Sequence, residues 1–341
     1  MTDDRSRARE AFTAVVQLVG GNVTGAGRVV LVESVGHEDR ALGWDAVVFS
    51  PGGSGAAVGY EGGLVEPGDE FLVGDDLFVH TQDYLATPFL AVAGPTIVRV
   101  GGDQDYESFL QDADLARDQG VFVEQLTTPG VFLADQCALG TTHPCAGAGR
   151  LHVDASGDVR TAPGGEVLGS IESDVDSIAA RAAALNIIGD VCLNAVVSAD
   201  AIEQARAARP WLSRYLRALA VLRGLRAEGR SGLRVSGFGG RFVEGLPADL
   251  VEHVDAPILL WGNGEQLLCD TTQDRVFQVG ADAARIIELL LVAHDAGHAV
   301  ELATVHTGLD ADVARDATDR VIAAFDSLQS VVRAGITSPA S

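Results

Sequence analysis

The spacing of apolar positions changes along this chain, and the clearest change falls near its end. Three short apolar runs, 258–261, 266–269 and 275–279, have the length and alternation of strands. Asn263-Gly264 separates the first two; this dipeptide accepts positive φ at both positions and favours a tight hairpin. A polar turn, 270–274, precedes the third run. The period then becomes helical, with Ile286, Leu289, Leu290 and Ala293 on one face. A polar break at 295–298, containing Gly297, sets off a short helix over 301–306. Asp310 stands where an N-cap oxygen would meet free amides, and Asp312 lies in the first turn, where the helix dipole favours negative charge. Val313, Ala317, Val321, Ala324, Leu328 and Val332 then form one stripe, with Gly335 as the expected stop. Strand, strand, strand, helix, helix, helix predicts a compact winged-helix-like unit (βββααα) over 257–337.

Upstream the pattern is mixed. A helix is expected over 5–19, strands over 28–35, 44–49, 70–73, 78–80, 89–93 and 96–100, a helix over 104–118 and a strand over 121–126. Residues 176–225 read as helical, with restarts near Asp200 and at Pro210. The glycine-rich stretch 51–68 lacks G-x-x-x-x-G-K-[ST], which excludes a P-loop, and reads as a turn-forming loop. A second glycine-rich stretch, 230–247, reads as a loop with a short strand. The expected organisation is α+β: a mixed α/β domain over 1–230, a linker over 231–256, and the C-terminal unit.

Charge narrows the partners. The net charge is −24 and the pI about 4.5, and every Lys/Arg position is arginine. From Pro257 to Thr337, twelve acids face five arginines, a balance of −7. Phosphate neutralisation by basic residues drives most nucleic-acid affinity, so this balance argues against a winged-helix DNA-binding regulator and against nucleic acid as partner. The basic cluster, Arg206, Arg209, Arg214, Arg217, Arg223 and Arg226, reads as a solvated helix face or as a dock for an acidic partner or for the acidic C-terminal unit. No apolar run reaches the length of a membrane span, and the N-terminus carries no apolar signal core; a cytoplasmic protein with no membrane partner is expected.

The C-terminal order and several local phrases resemble the PqqD-like RiPP recognition element, and within that group the daptide biosynthesis recognition proteins. RiPPs are ribosomally made peptides that enzymes later modify. The phrases are Val276-Phe277-Gln278-Val279 on the third strand, the alanine-rich helix start at 281–286, and an acidic helix from Asp310 to Gly335. The resemblance covers under a quarter of the chain. It implies a non-catalytic protein without cofactor that binds a precursor's leader peptide and presents it to the peptide-modifying enzymes of the pathway. The leader would add as a strand to the third strand, at Arg275, Val276, Phe277, Gln278 and Val279, beside Ala317, Val321, Ala324 and Phe325 on the last helix.

A second resemblance lies at 137–183. Cys145 to Gly149, the turn Asp154 to Val159, Gly169 to Ile171 and the acidic helix start at Asp174 are similar to the SPASM-type tail of radical SAM maturases. The chain departs from that pattern where a cluster cysteine should follow, with Thr161 and Ala162 instead, and it has no CxxxCxxC. The expectation is a structural remnant. The alternative is a degenerate maturase component with an iron–sulfur or metal site at Cys137 and Cys145, His143 lying between them. Cys192 and Cys269 read as buried small hydrophobes, and no metal site is expected at His294, Asp295 and His298, because Gly297 interrupts their helix. No nucleophile–base arrangement points to an enzyme.

Overall fold

The computed structural model describes residues 13–18, 27–53, 55–75, 77–90, 92, 94–140, 149–186, 192–247, 249–270, 273 and 275–329. The chain forms two compact units. Unit 1 comprises Met1–Leu110 and Gly130–Ala208; unit 2 comprises Gln111–Pro129 and Arg209–Ser341. Both α and β elements occur in each, and among the described residues no helix is long and apolar enough to cross a membrane.

Unit 1 is built on a ten-stranded sheet in the order β10-β9-β8-β1-β2-β3-β4-β5-β6-β7. The strands are β1 (Arg28–Val32), β2 (Ala46–Pro51), β3 (Val58–Gly62), β4 (Glu70–Val73), β5 (Leu77–Asp83), β6 (Thr96–Arg99), β7 (Val131–Leu133), β8 (Arg150–Val153), β9 (Asp158–Arg160) and β10 (Val167–Ser170). β8, β1, β2 and β3 run parallel, as do β5, β6 and β7; β4 joins the two sets antiparallel. Strands of a parallel sheet are buried on both faces and need apolar residues at every position. β1 satisfies this: Val29 and Leu31 enter one core cluster with Phe49 and Phe71, while Val30 and Val32 enter another with Leu151 and Val153. Helix α1 (13–18) contributes Ala14, Val15 and Leu18 to the first cluster. The remaining helices are α2 (Glu38–Leu42), α3 (Asp103–Gln119, whose residues from Gln111 belong to unit 2), α4 (Gln136–Leu139), α5 (Val175–Asn186) and α6 (Ala199–Ala208).

Several expectations change here. The glycine-rich stretch 51–68 holds strand β3. Gly62 has φ +82°, and a Cβ there would stand 1.8 Å from the Glu70 carbonyl oxygen, so its glycine serves close strand packing. The 3-10 turn 84–89 takes in Phe89, the first residue of the expected strand 89–93, and leaves it exposed; Ala91 and Ala93 lie outside the described residues. The expected strand 121–126 is irregular and ends in a 3-10 turn at Gln125–Thr127, with Phe122 stacked on Tyr215. Tertiary ring packing outweighed the local β pattern. Of the helix expected over 5–19, residues 13–18 are described.

Unit 2 carries α7 (Leu212–Ala227), β11 (Arg234–Val235), β12 (Ile258–Gly262), β13 (Glu265–Asp270), β14 (Arg275–Val279), α8 (Ala281–Ala293), α9 (Ala296–Thr307) and α10 (Ala311–Ala324). Its sheet is antiparallel in the order β11-β12-β13-β14. Asn263 and Gly264 both have positive φ, 51° and 82°, as the hairpin dipeptide requires. The residues expected as a linker, 231–256, belong to unit 2. β11 pairs with β12 through Arg234↔Trp261 and Val235↔Leu260, and Val235, Phe238, Val243 and Leu246 are buried. Sparse apolar positions among many glycines disguised a packed segment.

The helices also differ in detail. α9 begins at Ala296 and runs through Gly297; the Asp295 side chain accepts a hydrogen bond from the His298 amide (2.8 Å) and caps it. A glycine in the first turn costs little, because amides there lack helical partners in any case. Asp310 occupies the N-cap position of α10 but makes no side-chain capping bond. α10 stops at Ala324, where Phe325 turns extended (φ −133°, ψ 112°); residues 326–329 are helical again, and Leu328 rejoins the same core as Val321. Val332 and Gly335 lie outside the described residues.

Candidate functional site

Strand β14 is the last in its sheet, so one edge of its backbone has no strand neighbour among the described residues. An edge strand presents unpaired amides and carbonyls to any extended chain that approaches. Its residues alternate in burial. Phe277 and Val279 pack partly against the core built from β12, β13 and helices α8 to α10, while Arg275, Val276 and Gln278 are exposed. The Arg275 guanidinium lies over the Phe277 ring, 4.7 Å from its centroid.

Beside this strand runs a groove of 970 Å³ between the C-terminal end of β14, the first turns of α8 and one face of α10. Of the nine residues expected to meet a peptide, six line it: Gln278, Val279, Ala317, Val321, Ala324 and Phe325. Phe277 borders it indirectly, edge-on to Phe325 at 5.2 Å between ring centroids. Arg275 and Val276 lie on the strand but outside the groove. The stripe Val313, Ala317 and Val321 recurs at four-residue spacing and therefore forms one continuous wall. Val321 is buried, whereas Val313 and Ala324 are exposed, so the stripe is core at one margin and open wall at the other.

The groove's arginines have local partners. Arg285 pairs with Asp282 (2.6 Å) and Arg320 with Asp316 (3.0 Å), each on its own helix. What remains is a mostly apolar channel with a balanced polar rim, suited to an extended segment that offers apolar side chains and backbone hydrogen-bonding groups.

A buried polar assembly braces the channel, and the sequence pattern missed it. Glu288 on α8 is fully buried and accepts hydrogen bonds from Ser236 Oγ (2.6 Å), Phe242 N (3.0 Å) and Val243 N (2.5 Å). Burial pushes its carboxyl above the usual range, and those three donors offset that only in part. Glu252, also buried, is bracketed by Arg214 and Arg241, which hold it below the usual range against the effect of burial. Phe242 and Val243 both line the groove, so Glu288 fixes one of its rims. The available signal was a single acid inside the apolar run Ile286 to Leu291.

The arginine cluster is not a solvated face. Arg214 is 1 % exposed and donates to the carbonyls of His253 (3.1 Å), Ala256 (2.9 Å) and Pro257 (3.3 Å). Arg209 pairs with Asp114, Arg217 with Asp255 and Arg226 with Glu124 in unit 2; Arg206 donates to the carbonyls of Cys137 and Ala138 in unit 1.

The comparisons with known proteins add nothing to this geometry: no family model, no curated protein and no solved structure matches the chain.

The remaining candidates separate. His294 ends α8 in the left-handed region with its ring nitrogen 2.9 Å from the Val251 carbonyl oxygen, and His298 pairs with Glu301. Among the described residues no three His, Cys, Asp or Glu side chains converge as metal ligands. His143 and Cys145 lie outside the described residues, and the Cys137 sulfur is 3.6 Å from that of Cys192. Burial pushes the Cys269 thiol up to about 12, which leaves it unreactive.

In unit 1 a second cavity, of 590 Å³, opens where β5, β6 and β7 end. Asp83, Arg99, Gly101, Gly102 and Asp135 line it. Asp135 bridges Arg99 (3.2 Å) and Arg150 (2.7 Å), all three buried. Asp105 Oδ2 already accepts from the Gly101 amide (2.8 Å), so the start of α3 has an anion of its own.

Proposed function

We propose that unit 2 is a winged-helix-like recognition element that binds the leader of a ribosomally made precursor peptide and presents it to tailoring enzymes without catalysing a reaction itself. The leader adds antiparallel or parallel to β14 and sets alternate side chains into the groove walled by α10. The single observation that carries this reading is that a strand edge with no strand neighbour among the described residues leads at its C-terminal end into a 970 Å³ groove walled by α10. Strand addition needs both parts: main-chain bonds for affinity and pockets for selectivity. The acidic balance of the C-terminal segment favours a peptide over a nucleic acid. Unit 1, with its β8–β9–β10 meander in the place of a SPASM-like remnant, is left to dock the modifying enzymes.

The test is a calorimetric titration of the full chain with synthetic leaders encoded by neighbouring genes. The full chain is required, because a fragment starting at Pro257 loses β11 and the partners of Glu288. Ala324→Trp fills the groove from an exposed position without touching the core. Saturable binding, weakened about tenfold or more by Ala324→Trp and by Phe277→Asp, supports the reading. Absence of binding to every such leader, or binding indifferent to the filled groove, refutes it.

A further inference from the structure

Cys137 and Cys192 are 55 residues apart in sequence, yet their sulfurs stand 3.6 Å apart. Cys137 is the second residue of the short helix α4 after β7, and Cys192 lies in the turns that precede α6. A disulfide bond is about 2.05 Å long, so closure needs the sulfurs to approach by roughly 1.6 Å. Arg150 Nη2 is 3.6 Å from the Cys137 sulfur, and its Nη1 is held by Asp135 (2.7 Å) and the Leu18 carbonyl (2.7 Å). The thiolate is the species that attacks a disulfide. Cys137 is half-buried and Cys192 buried, so an external reagent meets Cys137 first. Asp135 and Leu193, close in sequence to the two cysteines, line the 590 Å³ cavity, which leaves room nearby for a small reagent.

We propose that Cys137 and Cys192 form a two-electron redox site that closes to an intramolecular disulfide by exchange with a low-molecular-weight disulfide. In the first step the Cys137 thiolate attacks one sulfur of the reagent, forming a mixed disulfide and expelling one thiolate, which takes up a proton. In the second, Cys192 loses its proton and attacks the Cys137 sulfur, expelling the second thiolate. Two protein thiols are oxidised, one external disulfide is reduced to two thiols, and no other reactant is needed. Closure ties the strands β8 to β10 and α5, which lie between the two cysteines, into a covalent loop.

The experiment uses the full reduced chain, oxidised glutathione, alkylation of remaining thiols and non-reducing peptide mapping by mass spectrometry. The expected product is a Cys137–Cys192 bridged peptide that forms about tenfold faster than any bridge to Cys145 or Cys269, and faster than in the urea-unfolded chain. Cys192→Ser should halt the reaction at a glutathione adduct on Cys137, and Cys137→Ser should yield neither adduct nor bridge; a thermal melt verifies that each variant folds. The wild-type map decides the matter even if a variant does not fold. A dominant Cys137–Cys145 bridge, or no bridge in the folded chain under conditions that oxidise the unfolded one, overturns the proposal.

Discussion

The ring of Phe277 on β14 meets the ring of Phe325, the residue that ends α10, edge to face at 5.2 Å between centroids and 75° between planes. This pair joins the open strand to the helix across the groove. Edge-to-face pairs contribute about 0.5–1.5 kcal/mol beyond area burial. A double-mutant cycle of Phe277→Leu and Phe325→Leu, read by urea unfolding, should return a coupling in that range. Additive single effects would mean that the helix end is held by Leu328 and the core alone.

Arg214 is the residue of the arginine cluster most committed to the interior. Its guanidinium collects three carbonyls from 253–257 and faces Glu252. Arg214→Ala strands those acceptors and leaves Glu252 with Arg241 as its remaining buried cation; the expected loss is about 3–5 kcal/mol. Arg223→Ala, on the same helix, should cost clearly less, since Arg223 is only half-buried. Denaturant midpoints of the two variants provide the comparison, and equal losses would contradict this assignment.

What could be read from the sequence was set by local chemistry. Asn263-Gly264 specifies its own turn, and the shift from period two to period 3.6 after Val279 reports burial on one face, so β12 to β14 and α8 were legible to within a residue or two. Gln278, Val279, Ala317, Val321, Ala324 and Phe325, which line the groove, lie on or beside the strand and the helical stripe that this pattern marks. β11 was not legible as part of the sheet, because two residues among glycines have no period. The roles of Arg214 and Glu252 were hidden for another reason: a charge reads as solvent-facing until its partner, 38 residues further on, is known. Cys192 was correctly read as buried, but its proximity to Cys137 depends on chain path alone.

Asp154 makes the β8–β9 turn pH-sensitive. Its Oδ1 accepts from Ser156 N (3.0 Å), Ser156 Oγ (2.6 Å) and Asp158 N (3.0 Å), and its Oδ2 from Arg160 Nε (3.1 Å). Desolvation opposes ionisation, but the bonds from Ser156, Arg160 and Asp158 outweigh it and hold the carboxyl at about 2. A folded value below the unfolded one stabilises the fold above the ordinary aspartate range, and that contribution fades as pH falls from about 4 toward 2. The shift corresponds to about 2.5 kcal/mol, which solvent at this partly exposed turn screens to about 1 kcal/mol. Asp154→Asn should lower stability at pH 7 by about that amount and flatten the loss between pH 4 and pH 2; an unchanged acid limb would show that the turn contributes nothing there.

Glu288 has the opposite sign. Burial raises its carboxyl above the ordinary glutamate range more than Ser236, the Phe242 and Val243 amides and nearby Arg241 lower it. The folded state then binds the proton more tightly than the unfolded chain. Its contribution to stability is complete below the unfolded value, near 4.3, and declines as pH rises through the window up to the raised folded value. Glu288→Gln keeps the shape and an oxygen acceptor but cannot ionise, so the variant's stability should lose that decline. Glu288→Ala removes the acceptor for two backbone amides and a hydroxyl, an expected cost of about 3 kcal/mol. The same substitution frees the 242–243 rim of the groove, so leader affinity should fall even where the protein remains folded, whereas Glu288→Gln should retain most of it. Unfolding curves from pH 4 to pH 8 together with titration of the leader test both halves; a Gln variant with the wild-type pH slope would place the titrating group elsewhere.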